Sequence, residues 1–310
     1  MFHYLKISND FLLSACLVAL FFLLSVEIYD HFGPQLPKAV TKRPVKKKRV
    51  NKATKRKVNK VVYVQSTSGK FDISSSALEA MRKAFPNEPE STLIRFLIAR
   101  KGSVVKATEM LTKSMTWRNG NMPPKKGYVQ PALDTRTIFV HGTAKDSTPV
   151  VYFRGPLYDA KAATKEQYVL AAAYVIDQAL LNCAKADSEY DLASQSVTVL
   201  VHTAHTPGAI NAPADVSFIK AFVQTLSDNY PERLKRLVVY PFPWYGRAVW
   251  QVIKAFLDPR TADKVTLLAQ GPEGEYPCPP DMNNYVDINT VPVECGGKSD
   301  AKVVYPTLST

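Results

Sequence analysis

Between Ser74 and Asn119 the apolar positions recur at helical spacing. SSSALEAMRKAF, Ser74 to Phe85, is predicted as a helix opened by a capping box from Ser76 to Glu79 and closed before Pro86. STLIRFLIARKG follows, with Gly102 as its stop. SVVKATEMLTKSMTWRN then sets Ala107, Met110, Leu111, Ser114 and Trp117 on one helical stripe, which reads as core packing. From Thr137 the pattern changes. TIFVHG and PVVYFRG are short β-rich runs, and Thr164 to Cys183 is a long amphipathic helix turning Val169, Ala172, Ala173, Ile176, Ala179, Leu180 and Cys183 inward. SVTVLVH is an unbroken apolar strand, and Asp215 to Leu226 a helix with Phe218, Ile219, Phe222 and Val223 inward. RLVVY, the helix Tyr245–Leu257 and the strand KVTLLA complete the alternation. Strands separated by helices of this length imply βαβ crossovers, hence an α/β fold with a mainly parallel sheet.

One helix in that series departs from the amphipathic pattern. In WYGRAVWQVIKAFLDP, the residues Trp244, Val249, Trp250, Ile253, Phe256 and Leu257 spread apolar surface over an unusually wide arc, interrupted by Arg247 and Lys254. A helix apolar nearly all round is buried between sheet and neighbour, or it meets something apolar on its outer side. A lipid cavity on one side and a bilayer on the other would satisfy the second condition.

The N-terminal pattern is different again. Phe11 to Val26 is apolar and uncharged, and Ile28 and Tyr29 extend it with interfacial residues. Roughly 20 apolar residues span a bilayer, so 1–30 is expected to be a membrane anchor. A cleaved signal peptide is the rival reading, but only Lys6 precedes the run, and no small-x-small cleavage site follows it. Between Lys38 and Lys60 there are 12 Lys or Arg and no acid. The net charge of +13 belongs to that segment, because elsewhere 28 bases face 27 acids. Residues 31–70 therefore read as a basic tether, and residues 38–60 are suited to an anionic membrane surface. Tyr63 alone represents the interleaved aromatics that nucleic-acid binding needs, so no nucleic-acid partner is expected. The bases follow the apolar run, and the positive-inside rule then places the C-terminal domain in the cytosol. The expected location is a single-pass protein of the endoplasmic reticulum or another secretory-pathway membrane. Cys183, Cys278 and Cys295 are too few and scattered for a disulfide framework; Cys278 and Cys295 have the option of pairing, but reduced thiols fit a cytosolic domain better.

A catalytic constellation is missing. The chain has no G-x-S-x-G elbow, no phosphate-cradling glycine loop and no dinucleotide fingerprint. His202 and His205 form an H-x-x-H at a strand end, yet two histidines without a third ligand at fitting spacing are better read as polar strand-end residues. No enzyme, metal or cofactor is expected. YPERLKRLVVYPFP, Tyr230 to Pro243, poses a separate question. Glu232 sits among Arg233, Lys235 and Arg236 directly before a buried strand, and exposed pairs of that kind stabilise little.

The segment DNYPERLKRLVVYPFPWYGRAVWQVIKAFLDPRTADKVTLL resembles the CRAL-TRIO lipid-binding domain of secretory-pathway phosphatidylinositol transfer proteins. STLIRFLIARKGSVVKATEMLTKSMTWR is similar to that family's helical preamble, and VPVECGG, Val291 to Gly297, to its closing segment, with Cys295 where an aromatic is usual. The resemblance implies one lipid in a cavity floored by the sheet and closed by a mobile gate helix, here Trp244–Leu257. It also implies a headgroup set of Arg100, Lys101, Glu232, Thr261 and Lys264. A buried phosphodiester needs cations and neutral donors, while Glu232 would accept inositol hydroxyls or hold the bases in place. The hydroxyl pair of phosphatidylcholine-binding members falls on Val197 and Val199 here, which argues against a choline headgroup.

The expected organisation is an anchor (1–30), a linker (31–70), a helical preamble (71–125), the lipid-binding domain (126–300) and a tail (301–310). The expected function is uptake and transfer of a single phospholipid, phosphatidylinositol. A non-phosphate ligand of sterol, tocopherol or retinoid type, or a scaffold with a degenerate pocket, are the alternatives.

Overall fold

A computed structural model describes residues 61–183, 190–211, 216–242, 263–269 and 278–308. Order begins earlier than the composition implies. β1 (Val61–Ser66) and β2 (Gly69–Ser74) pair as an antiparallel hairpin, with Val61 opposite Ser74 and Ser66 opposite Gly69. The last ten residues of the expected tether, 61–70, thus belong to folded structure. The reason is a period of two that the neighbouring charge run masks: Val64 and Ser66 are buried, while Val61, Tyr63 and Gln65 face water.

Four helices follow: α1 (Ser75–Ala84), α2 (Glu90–Ala99), α3 (Val104–Asn121) and α4 (Lys126–Asp134). The capping box expected at Ser76 does not form. The helix starts at Ser75 with Ser74 as an N-cap that makes no side-chain cap bond, and Glu79 instead meets Arg82 at 3.2 Å. The expected stripe on α3 is real, with Ala107, Met110, Leu111 and Ser114 buried. Val64 and Ile73 of the hairpin share one core with Leu78, Met81, Leu93, Ile94, Leu97 and Leu111, so hairpin and preamble helices pack as a unit. The chain leaves α2 through left-handed Lys101 (φ 51°) and Gly102 (φ 80°), and the Gly102 N–H donates to the Leu97 carbonyl at 2.7 Å.

The main sheet runs β3 (Ile138–Thr143), β4 (Pro149–Arg154), β5 (Val197–His202), β6 (Leu234–Phe242) and β7 (Val265–Ala269), in that spatial order. β3 and β4 are antiparallel; β4 through β7 are parallel, as the alternation of helices and strands predicts. Every residue of β4 and β5 is buried, because both faces of the sheet are covered. On one face Val151, Phe153, Val199, Val201 and Val239 pack against α5 (Lys165–Leu181) and α6 (Val216–Asn229), through Tyr168, Ile176, Phe218 and Phe222 among others. On the other face Tyr152, Leu200, Val238 and Tyr240 meet Met282, Val286, Cys278 and Cys295 from the C-terminal segment. Cys278 and Cys295 are free, buried thiols.

That C-terminal layer is packed so closely that Gly297 has no room for a side chain: a Cβ there would run into the Val291 carbonyl and side chain. Gly297→Ala is expected to cost about 3 kcal/mol by overpacking, read as a lower urea midpoint. The same layer buries His202, whose ring lies 5.3 Å from that of Tyr240 and whose two nitrogens have no hydrogen-bond partner among the described residues. Burial, helped by the Arg154 charge, pushes the imidazole down to about 3. The unfolded chain then binds more protons than the native one below the ordinary histidine range, so stability falls with pH. A loss of about 2 kcal/mol is expected between pH 7 and pH 5, and His202→Leu should flatten that part of the urea-midpoint profile.

The single-pass membrane arrangement needs correction. Among the described residues no helix is long and apolar enough to cross a membrane. The longest of them, α3, carries Lys106, Glu109, Lys113 and Arg118, which a bilayer interior would not accept. The run Phe11–Tyr29 and the basic stretch 38–60 lie outside the described residues.

Candidate functional site

The site is built on the turn that joins α6 to β6. The Tyr230 N–H donates to the Leu226 carbonyl at 2.8 Å and its hydroxyl to the Ala173 carbonyl at 3.2 Å, fixing the turn in the core. Glu232 takes a left-handed backbone conformation, φ 54°, which is uncommon for a residue with a side chain. One residue later the Arg233 carbonyl accepts from Val197 N–H at 2.8 Å and the chain enters the sheet.

The carboxylate of Glu232 has a dense set of donors. Its Oε2 accepts from Ser66 Oγ (2.5 Å), Thr67 Oγ1 (2.8 Å) and Ser68 Oγ (3.0 Å), all at the β1–β2 turn. Lys264 Nζ stands 3.8 Å from the same oxygen, and donates to Thr67 Oγ1 at 3.0 Å. Side-chain exposure is 15% for Lys264 and 13% for Glu232, so the pair is largely withdrawn from water. Burial opposes the charge on Glu232, but the Lys264 ammonium and the three hydroxyls outweigh it and hold the carboxyl below its usual range.

Beneath this cluster lies Arg95, only 2% exposed in the middle of α2. Its Nη1 donates to the Glu232 carbonyl at 2.5 Å, and its Nη2 reaches the carbonyls of Leu192 (3.1 Å) and Gln195 (3.2 Å) and Gln195 Oε1 (3.2 Å). Burial and the neighbouring Arg233 charge lower its affinity for a proton, bringing it to about 9, which still leaves it charged at neutral pH. The bases that neighbour Glu232 in the chain point elsewhere. Arg233 Nη1 donates to the Gln195 carbonyl at 2.9 Å, beside a groove of about 770 Å³ between α3 and α5, and Arg236 covers the Tyr285 ring at 4.8 Å.

Of the five expected headgroup residues, Glu232 and Lys264 are brought together. Arg100 is half-buried at the end of α2, where its Nη1 donates to the Ala99 carbonyl at 3.2 Å. It makes no bond to Glu232 or Lys264 among the described residues. Lys101 follows it, exposed. Thr261 and the whole expected gate helix, Trp244, Val249, Trp250, Ile253, Phe256 and Leu257 included, lie outside the described residues. Sequence reasoning missed Arg95 and the three hydroxyls. A lone charge flanked by Leu93, Ile94, Phe96, Leu97 and Ile98 was a legible signal for a buried arginine. Nothing in QSTSG announced which carboxylate it would meet.

Residues 133–297, more than half of the chain, match the model of the CRAL/TRIO domain. The chain belongs to the CRAL/TRIO family. The resemblance carried by the Y-P-E-R segment is therefore borne out at the level of the family, and the matched span includes Glu232 and Lys264 but neither Arg95 nor the β1–β2 hairpin. Phosphatidylinositol transfer protein CSR1 of Eremothecium gossypii is 27% identical over 231 residues, 68% of this chain and 48% of that protein. CRAL-TRIO domain-containing protein C3H8.02 of Schizosaccharomyces pombe is 25% identical over 235 residues, 71% of this chain and 48% of that protein. SEC14 cytosolic factor of Eremothecium gossypii is 27% identical over 246 residues, 73% of this chain and 76% of that protein. The chain thus spans about half the length of CSR1 and C3H8.02. Among solved structures, Sfh5 aligns with a TM-score of 0.43 at 15% identity, over 59% of this chain and 65% of that one.

Proposed function

We propose that this CRAL/TRIO chain takes up one phospholipid, phosphatidylinositol, and carries or presents it without making or breaking a bond. The observation that carries the reading is the buried Glu232–Lys264 pair at the mouth of β6 and β7. A phosphodiester withdrawn from water needs cationic and neutral donors, and Lys264, with Arg100, Lys101 and Thr261, supplies them. Inositol adds hydroxyls, which a carboxylate accepts, and Glu232 already accepts three. The acyl chains enter a cavity floored by the sheet and closed by the helix Trp244–Leu257, and Val197 and Val199 offer no hydroxyl to a choline headgroup. The helix Trp244–Leu257 is the gate: its wide apolar arc faces the acyl chains when closed and the bilayer when open. The likeness to phosphatidylinositol transfer protein CSR1 supports the same ligand class.

The test is native mass spectrometry of the lipid that purifies with the full chain, joined to exchange of labelled phosphatidylinositol between vesicles. Co-purified phosphatidylinositol and measurable exchange are expected. A bound sterol, tocopherol or retinoid would leave Lys264 and its companions without a phosphate and would overturn the headgroup assignment.

A further inference from the structure

The hydroxyls of Ser66, Thr67 and Ser68 hold the acid that the ligand is assigned to meet. Glu232 Oε2 takes all three within 3.0 Å and faces Lys264 as well, while among the described residues Oε1 receives only a 3.3 Å contact from Ser68. A carboxylate offers about four acceptor positions, so the turn occupies most of this one. Three hydroxyls on successive residues donate to the carboxylate as the hydroxyls of a polyol ring would, while Lys264 beside them is the cation that the ring's phosphate would meet. We propose that the β1–β2 turn is a built-in stand-in for the polyol headgroup, occupying the acidic end of the clamp until an inositol lipid displaces it; this rests on the inositol-lipid reading above.

The physical need for a stand-in is plain. Between ligands a buried carboxylate without donors carries its full desolvation penalty. The hydroxyls remove that penalty, and each can be handed over to a ligand of the same chemistry. The hairpin is built for a local exchange of this kind. Its base is held by Val64 and Ile73 in the core and by bonds from Gln65 N–H to the Tyr190 carbonyl (3.0 Å) and from Leu192 N–H to the Gln65 carbonyl (2.8 Å). Its tip is not held in that way. Thr67, Ser68 and Gly69 are half-buried, Lys70 is exposed, and Gly69, at φ +123°, has open space where a Cβ would stand. Backbone movement is thereby confined to the turn, while Ser66, buried at the end of β1, hands over its bond by rotation of its side chain. Because the ligand-competent form is only part of the population, apparent affinity is reduced by that fraction. The turn therefore sets a threshold: lipids with hydroxyls to replace its own gain entry to the acidic end, and lipids without them do not.

Two measurements on the full chain test this. The Ser66→Ala/Thr67→Ala/Ser68→Ala variant is compared with the parent for uptake of phosphatidylinositol from vesicles, with an at least threefold tighter apparent affinity expected. Equal or weaker uptake by the folded variant overturns the stand-in while leaving the inositol reading intact. Failure of both proteins to take up phosphatidylinositol sinks the inositol reading and the stand-in with it. The second measurement is hydrogen exchange of the parent with phosphatidylinositol vesicles or with vesicles of phosphatidylcholine alone, and it stands whether or not the variant folds. Amides from Thr67 to Phe71 should exchange at least threefold faster with the inositol lipid. Unchanged or slower exchange there, with uptake occurring, overturns the proposal.

Discussion

Arg95→Met is expected to lower the unfolding free energy by about 4 kcal/mol, read as a large drop in urea midpoint with an unchanged slope. Met keeps the volume of the side chain's stem, so little of the effect comes from a cavity. What is lost is the fork of donors. The carbonyls of Glu232 and Leu192 would keep their burial and lose a charged partner, whereas Gln195 would keep Arg233 Nη1. Each such orphan costs about 1–3 kcal/mol, although release of the repulsion between Arg95 and Arg233 offsets part of the sum. Arg95→Lys should recover only a fraction, because an ammonium is a point charge and the acceptors are arranged around a planar guanidinium. A loss under about 1 kcal/mol for the methionine variant would show that water replaces the guanidinium and that Arg95 does not organise the site.

Lys264→Ala is expected to abolish phosphatidylinositol exchange, by at least about tenfold, the effect of losing one charge-assisted contact of 1.4 kcal/mol or more. The substitution also strands Glu232 as a buried acid without its cation, a change that typically costs about 3–5 kcal/mol. Lost exchange and lost stability must therefore be separated. The double variant Glu232→Leu/Lys264→Met removes both charges at once, and apolar replacement of a buried pair is often neutral. It should keep a urea midpoint near that of the parent and still fail to exchange phosphatidylinositol. Normal exchange by the folded double variant would remove the pair from the headgroup site. The acid side of the same pair has its own signature. Glu232 titrates below its ordinary value of 4.5 in the native state, held there by Lys264 and the hydroxyls against the opposing effect of burial. Its contribution is thus present above that value and is lost as pH falls through the lower native one. That loss overlaps the acid half of the His202 slope, which continues down to about pH 3, and the Glu232→Leu/Lys264→Met variant should lack it.

Much of the architecture was legible along the chain because it depends on local period. The parallel order of β4 through β7, the stripe on α3 and the inward face of α5 follow from repeats of 2 and 3.6 residues. The errors occurred where one local signal overrode another. Ser76 and Glu79 have capping-box spacing, yet the N-cap falls two residues earlier, on Ser74. The charge run before residues 61–70 suggests that the tether continues through them, yet Val64 and Ile73 turn inward between exposed or half-buried neighbours as a hairpin requires. The expectation of a membrane-spanning protein rested on a single apolar run, and the described helices, each with charged or polar faces, gave it no support.

What the chain determined by itself is the set of parts: an α/β alternation, and an acid in Y-P-E-R that local salt bridging could not explain. Only the tertiary structure decided the partners of that acid. Arg233 and Arg236 are adjacent in sequence but face Gln195 and Tyr285, whereas Lys264 lies 32 positions away from Glu232 and Ser66 lies 166. The physical reason is that the left-handed turn before β6 redirects Glu232 away from the bases that follow it. Contacts at such separations depend on how β6, β7 and the hairpin are brought side by side, which no local pattern encodes.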